Sequence, residues 1–212
     1  MTIYINKTAK EILIPDPFLT FNKEKHQYTD LKSKRKVPRS ISTLKGGLNF
    51  TNRHIEEGIK RGNAVHEACH IYVETKDETL AYIHAGEYKQ YVKHFINADF
   101  WKNWDVVVSE FMLIDRRWAI AGTLDLILEN KTTGQHVLAD IKTGRNPLNV
   151  KMQLGGYAFM LRENYNDLKI DFCQVIFAHE DGCSRKRYET NDCWTEYNAC
   201  KSLYYEKLLW DE

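Results

Sequence analysis

The sequence predicts a mixed α/β protein with a central mixed sheet flanked by helices. Three observations carry this. Residues 52–100 hold two stretches of helical periodicity, residues 106–142 hold three consecutive strand-like segments, and a further helix and strand follow. In order, residues 3–50 read as an irregular strand-and-turn region, with His26–Tyr28 and Arg35–Val37 as hairpin strands around the polar stretch from Thr29 to Lys34. From Asn52 to Thr75, Ile55, Ile59, Val65, Cys69 and Tyr72 recur at helical spacing. A second helix is predicted from Glu78 to Phe100 on Leu80, Ile83, Tyr88, Tyr91 and Phe95. Val106–Ile114, Trp118–Leu128 and His136–Lys142 read as strands parted by the turn residues Asp115–Arg116 and Asn130–Gly134. Asn149–Asn164 reads as a helix despite Gly155 and Gly156, Ile170–Ala178 as a strand with Arg185–Glu189 as its partner, and Asp192–Trp210 as a closing amphipathic helix.

No repeat, low-complexity tract or Pro/Gly-rich linker interrupts the 212 residues, so one domain is expected over 1–212. Its parts are a strand/turn region (1–50), a helical part (51–100), an α/β core (104–190) and a terminal helix (191–212). With 43% apolar and 28% charged residues, neither a disordered nor a membrane chain is indicated, and no apolar run approaches the roughly 20 residues a spanning helix needs. Residues 1–10 lack the apolar run and cleavage site of an export signal, so a cytoplasmic protein is expected. The cysteines (Cys69, Cys173, Cys183, Cys193, Cys200) are odd in number and contain no C-x2-C pair. Reduced thiols are therefore expected, with no zinc ribbon and no iron–sulfur cluster.

Thirty basic against 29 acidic residues leave +1, which announces no polyanion partner. Two local runs break this balance: Lys23, Lys25, Lys32, Lys34, Arg35, Lys36 and Arg39, and then Arg185, Lys186 and Arg187. Alone, either is a solvated surface; they bear on nucleic acid only if a site for that chemistry exists elsewhere.

Such a site is suggested by Asp125 and by Asp140-Ile141-Lys142 on the next strand. Strand side chains alternate, so Asp140 and Lys142 point one way with Ile141 buried behind them, and Asp125 on the neighbouring antiparallel strand can reach the same face. Two carboxylates and an ammonium converging on one sheet edge repel and lose hydration unless a hard divalent cation organises them. Mg2+ prefers carboxylate oxygens and leaves positions for substrate phosphate. Lys142 would then hold or deprotonate an attacking water and offset charge at phosphorus. A lone D-x-K is usually just the polar end of a strand, and its accompaniment is what matters: Gly122-Thr-Leu before Asp125, Thr143-Gly144 after Lys142, then Gln153 and Tyr157 on one helical face.

Gly122-x-x-Asp125, Asp140-Ile141-Lys142-Thr143-Gly144 and Gln153-x-x-x-Tyr157, in that order, resemble the PD-(D/E)XK nuclease superfamily, specifically its RecB-type exonuclease branch. Arg61-Gly-Asn-Ala-Val-His66 resembles the upstream helix histidine of that branch. His26-x-Tyr28 followed by Val37-Pro-Arg-Ser-Ile-Ser-Thr-Leu44 is similar to the start of phage exonucleases and of the mitochondrial genome maintenance exonuclease, with Arg39 departing from the pattern. The resemblance spans roughly residues 26–180 and implies a restriction-endonuclease-like core. By it, His66, Asp125, Asp140 and the Ile141 carbonyl would ligate one or two Mg2+ or Mn2+ ions, and Lys142 would be the catalytic lysine. Glu110 would assist, although an outward-facing strand glutamate is an equal alternative. Gln153 and Tyr157 would fall in the motif placed near DNA. From the residues themselves, the basic N-terminal region and Arg185–Arg187 are candidate backbone contacts, and Tyr28, Trp101, Trp104 and Trp118 are candidates to stack on bases, with core packing the alternative for most of them. The implied activity is a DNA exonuclease acting on ends in replication, repair or recombination, bacterial or phage-borne, with DNA, and a recombination or replication protein, as partners. Polarity, strand preference and oligomeric state stay open, and a flap endonuclease is the nearest alternative.

One rival rests on His66-Glu-Ala-Cys-His70, a literal H-E-x-x-H, which in a zinc protease supplies two ligands and a base. Its third ligand, Glu74 or Glu87, lies in no recognisable motif, and the protease leaves Asp125, Asp140, Lys142, Gln153 and Tyr157 without a role. A DNA-binding module with a dead core is a further alternative, but such modules lose a carboxylate or the lysine, and both are kept here.

Overall fold

The structure, a computed structural model, describes residues 8–41, 44, 53–144 and 149–210. The predicted helix start at Asn52, and Ser42 and Thr43 of the motif ending at Leu44, lie outside these residues. Among them runs a mixed sheet. β5 (Trp104–Asp115), β6 (Ile120–Asn130) and β7 (His136–Lys142) form an antiparallel meander. α5 (Val150–Asn164) leads to β8 (Phe172–Ala178), parallel to β7, and β9 (Cys183–Tyr188) pairs antiparallel with β8. Short β4 (Arg39–Ser40) adds in parallel to the start of β6.

Each face of the sheet carries its own core. On one, α5 and α6 (Thr190–Trp210) bury Leu124, Ile127, Leu138, Val175, Leu154 and Tyr197. On the other, α2 (Arg53–Thr75), α3 (Glu78–Ala85) and α4 (Lys89–Ile96) bury Val65, Cys69, Val92, Phe95, Leu126, Ala139 and Ile176. The chain is thus helix–sheet–helix in layers, as the sequence predicts. Gly155 is tolerated within α5 because α5 and α6 meet backbone to backbone: a Cβ there would stand 2.0 Å from the Cys193 carbonyl oxygen.

Several elements differ from expectation. The helix predicted for Glu78–Phe100 breaks at Gly86, whose φ of +55° ends α3 in a conformation that glycine adopts at little cost. The chain resumes as a short 3-10 turn, then α4, then a second 3-10 turn at Asp99–Lys102. β6 starts at Ile120 rather than Trp118, since the turn reaches Ala119 at φ +49°. Near the N-terminus, after one turn of helix α1 (Ala9–Ile12), the sequence missed β1 (Leu19–Asn22). It pairs with β2 (Gln27–Asp30), which pairs in turn with β3 (Arg35–Lys36). This small sheet packs Leu19, Tyr28 and Val37 on Ile114 and Ala121, extending the β5–β6 pair.

Candidate metal centre and active site

β6 is paired with β5 along one edge. Its other edge is shared: β4 holds Ile120 and Ala121, and β7 holds Leu126 to Glu129. Among the described residues, Gly122 to Asp125 have no strand partner on that edge. The strand also flips there. Leu124 lies in the α5/α6 core and Leu126 in the α2–α4 core, although residues two apart in a regular strand share a face. Opposite Asp125 on β5 stands Glu110 with φ +48°, and Val108 and Phe111, three apart, enter the same core. Both strands are therefore kinked at one level, a bulge-like distortion that re-aims side chains. The sequence's even alternation did not foresee it.

The Asp125 carboxylate turns into the gap and takes over a ladder hydrogen bond, its Oδ2 accepting from the Ile141 N–H at 2.6 Å. His66 comes from α2 on the face that also carries Cys69 and Val73, and places Nδ1 3.3 Å from the same oxygen. Ligand atoms of His66, Glu110 and Asp125 all lie within 4.8 Å of one another. Across the gap, Lys142 Nζ sits 2.6 Å from Asp140 Oδ2, and the Asp140 side chain is only 2% exposed. Ile141 is buried in the opposite core, as the alternation predicts.

The electrostatics follow from this crowding. Burial penalises the charged His66, but Asp125 outweighs it and raises the imidazole's pKa. Burial likewise penalises the charged form of Asp125, yet His66 and then Lys142 hold it below the usual carboxylate range. Burial dominates at Asp140 and lifts it despite Lys142. For Lys142 burial is outweighed by Asp140 and Asp125, so its pKa rises and it stays an ammonium. Glu110 is open to water as a residue, but partial withdrawal of its carboxyl, and then the Asp125 charge, push it up to about 7.

This donor set fits a hard divalent cation. A histidine and two carboxylates converge in one group, and beside them Asp140 Oδ1 is buried with no hydrogen-bond partner among the described residues. A buried acceptor left unpaired costs about 1–3 kcal/mol, which a positive ligand offsets. Glu110, expected only as an assistant, belongs to the converging trio, whereas Asp140 is engaged by Lys142.

The sequence profile of the PD-(D/E)XK nuclease superfamily matches residues 43–199, which include every residue of this cluster. The chain belongs to that superfamily. None of the curated proteins compared matches the sequence. Among solved structures, the crystal structure of SSO0001 is similar at 13% identity and a TM-score of 0.33, over 77% of this chain and 75% of that one, too slight a likeness for any argument to rest on. Nucleases of this superfamily use divalent metals and act on DNA, consistent with the donor set.

Of the remaining predicted site residues, Tyr157 borders the gap and the basic triplet lies apart from it. Tyr157 is buried, hydrogen-bonded to Gln153, with its ring against Gly122, where a Cβ would lie 2.7 Å from Cε1. It props the gap from beneath, which explains the small residue before Asp125. Arg185, Lys186 and Arg187 lie on β9, two strands from β7, and alternate faces: Arg185 covers Phe100, Arg187 covers Phe172 and Lys186 lies over Tyr188. Arg185 and Arg187 thus share one face, and Lys186 stands on the other. Of the aromatic candidates, Tyr28 and Trp104 are buried and Trp101 donates to the Phe95 carbonyl, while Trp118 is 39% exposed. The histidines of H-E-x-x-H do not converge on a common centre among the described residues. His66 faces β6, and His70 Nδ1 bonds Ser109 Oγ on β5 at 2.5 Å, so His70 clamps the helix to the sheet. No described helix is long and apolar enough to cross a membrane.

Proposed function

We propose that this nuclease is a Mg2+- or Mn2+-dependent DNA exonuclease, a single domain of the RecB-type branch, similar to phage and mitochondrial exonucleases, hydrolysing phosphodiesters at DNA ends in replication, repair or recombination. The observation that carries the proposal is the kinked gap, where Asp125, Glu110 and His66 meet beside the Asp140–Lys142 pair. Its five free thiols suit a reducing cytoplasm, bacterial or phage-infected.

His66, Glu110, Asp125 and Asp140, with the Ile141 carbonyl, would hold the cation. When bound, it supplies positive charge that polarises the scissile phosphate and eases deprotonation of the attacking water. Lys142, kept protonated by Asp140, orients that water by hydrogen bonding and offsets the charge that develops on the phosphate oxygens. Asp125 fixes the gap through the Ile141 N–H, and His66 closes it from the helical layer.

The test compares wild type with Lys142→Ala on end-labelled single- and double-stranded linear DNA and on closed circles, in Mg2+, Mn2+ or EDTA. Metal-dependent loss of linear DNA alone, abolished by the substitution, is expected. Cutting of circles would reassign the site to an endonuclease. Inert DNA in every arm would sink the proposal.

A further inference from the structure

Resting on that nuclease reading, we propose that the β1–β2 hairpin is a guide for the substrate strand, and that Lys23 at its tip binds a DNA phosphate next to the scissile one in exchange for Glu67. The hairpin lies outside the family-matched residues 43–199 and bridges the two walls of the metal centre. One pair in from its tip, Tyr28 Oη and Thr123 Oγ1 share a 2.8 Å hydrogen bond, two residues before Asp125 on β6. At its tip, Lys23 Nζ stands 3.5 Å from Glu67 Oε1, and Glu67 directly follows His66 on α2.

The hairpin is rigid where it needs to be. Leu19 and Tyr28 are buried against β5 and β6, Phe21 packs on Tyr28 at 4.5 Å, and Asn22 Oδ1 accepts from the Lys25 N–H at 2.8 Å to close the turn. Lys23 itself is not buried: the side chains of the Lys23–Glu67 pair are 83% and 48% exposed. So exposed a pair is weak, and a phosphodiester oxygen replaces the carboxylate at little cost. The site needs such a cation at its rim. Asp125 and Asp140 repel the phosphates that flank the metal-bound one, and a lysine on a fixed arm counters that repulsion.

The experiment measures binding of labelled single- and double-stranded oligonucleotides in EDTA across a salt series, for wild type, Lys23→Ala and Lys32→Ala. Lys32 lies at the opposite end of the same small sheet, over the Phe18 ring, so it controls for loss of one charge. Lys23→Ala is expected to weaken binding about three- to tenfold and to lower the salt slope by about 0.7–0.9, the signature of one lost phosphate contact, with Lys32→Ala unchanged. With metal, Lys23→Ala should raise KM by the same factor and leave kcat within about twofold. Equal binding and slopes for the two variants would overturn the guide while leaving the nuclease intact. A wild type that neither binds nor cuts DNA would instead remove the reading beneath it.

Discussion

The β5–β6 pair carries a charged cluster at its turn and another at its kink, and the two are built in opposite ways. At the turn, Arg116 donates from Nη1 to Asp16 at 2.7 Å and from Nη2 and Nε to Asp30 at 3.0 and 3.2 Å, while Asp30 also accepts from the Lys32 and Ser33 N–H groups. Burial raises the pKa of both aspartates, but the Arg116 hydrogen bonds outweigh it and both stay below the usual value. At the kink, Asp140 is raised, its Oδ1 has no hydrogen-bond partner among the described residues, and Glu110 reaches about 7. The Arg116–Asp16–Asp30 group, whose carboxylate oxygens all have hydrogen-bond donors, holds the fold together. One with an unmet acceptor and crowded carboxyls is preorganised for a ligand, at some cost in stability.

The comparison is sharpened first by Lys142→Ala, which should lower DNA cleavage about 10³-fold, near 4 kcal/mol of transition-state stabilisation, in a single-turnover assay. Arg116→Ala should do the reverse. It leaves Asp30 buried without its counter-charge and should cost about 2–3 kcal/mol in urea unfolding, with cleavage per folded molecule unchanged. Comparable loss of activity in the two variants would mean that both clusters serve the same role.

pH separates the clusters with opposite signs. Asp16 and Asp30, held low, stabilise the fold above pH 3.8, and that stability is lost as the pH falls through their folded values; Arg116→Ala should flatten this acid limb. Glu110, held high, acts in the other direction: metal-free protein should lose stability as the pH rises from about 4.5 through about 7, and Glu110→Gln should remove that slope. Since ligation needs the deprotonated carboxyl, the thermal shift produced by Mn2+ should be larger at pH 8 than at pH 6. The smallest expected effect is that of His70→Ala. With only the Ser109 hydrogen bond removed, stability should fall by about 1 kcal/mol, and metal-dependent cleavage should stay within twofold.

Much of the site was legible in the sequence because its parts are local. Asp140, Ile141 and Lys142 alternate on one strand, His66 shares the buried face of its helix with Cys69 and Val73, and each pattern needs only the period of its own element. The Glu110 placement was not legible, because it depends on two strands flipping at the same level, where Leu124 and Leu126 part company. Nor was the role of Tyr157. Its helical spacing from Gln153 suggested a substrate face, but only packing against Gly122 makes it a buried prop. How the triplet Arg185–Arg187 divides was not legible either: Arg185 and Arg187 share one face of the strand and Lys186 takes the other.

By itself, then, the sequence determined the layered α/β class, the order of elements, and a chemistry of carboxylates, lysine and histidine, because these are written in short-range periodicity and residue type. Tertiary structure alone decided which carboxylate joins His66, which histidine turns away, and which basic residue borders the site. Those outcomes depend on where β6 leaves β7 and on which distant segments, from Lys23 to Tyr157, the two cores bring against that gap.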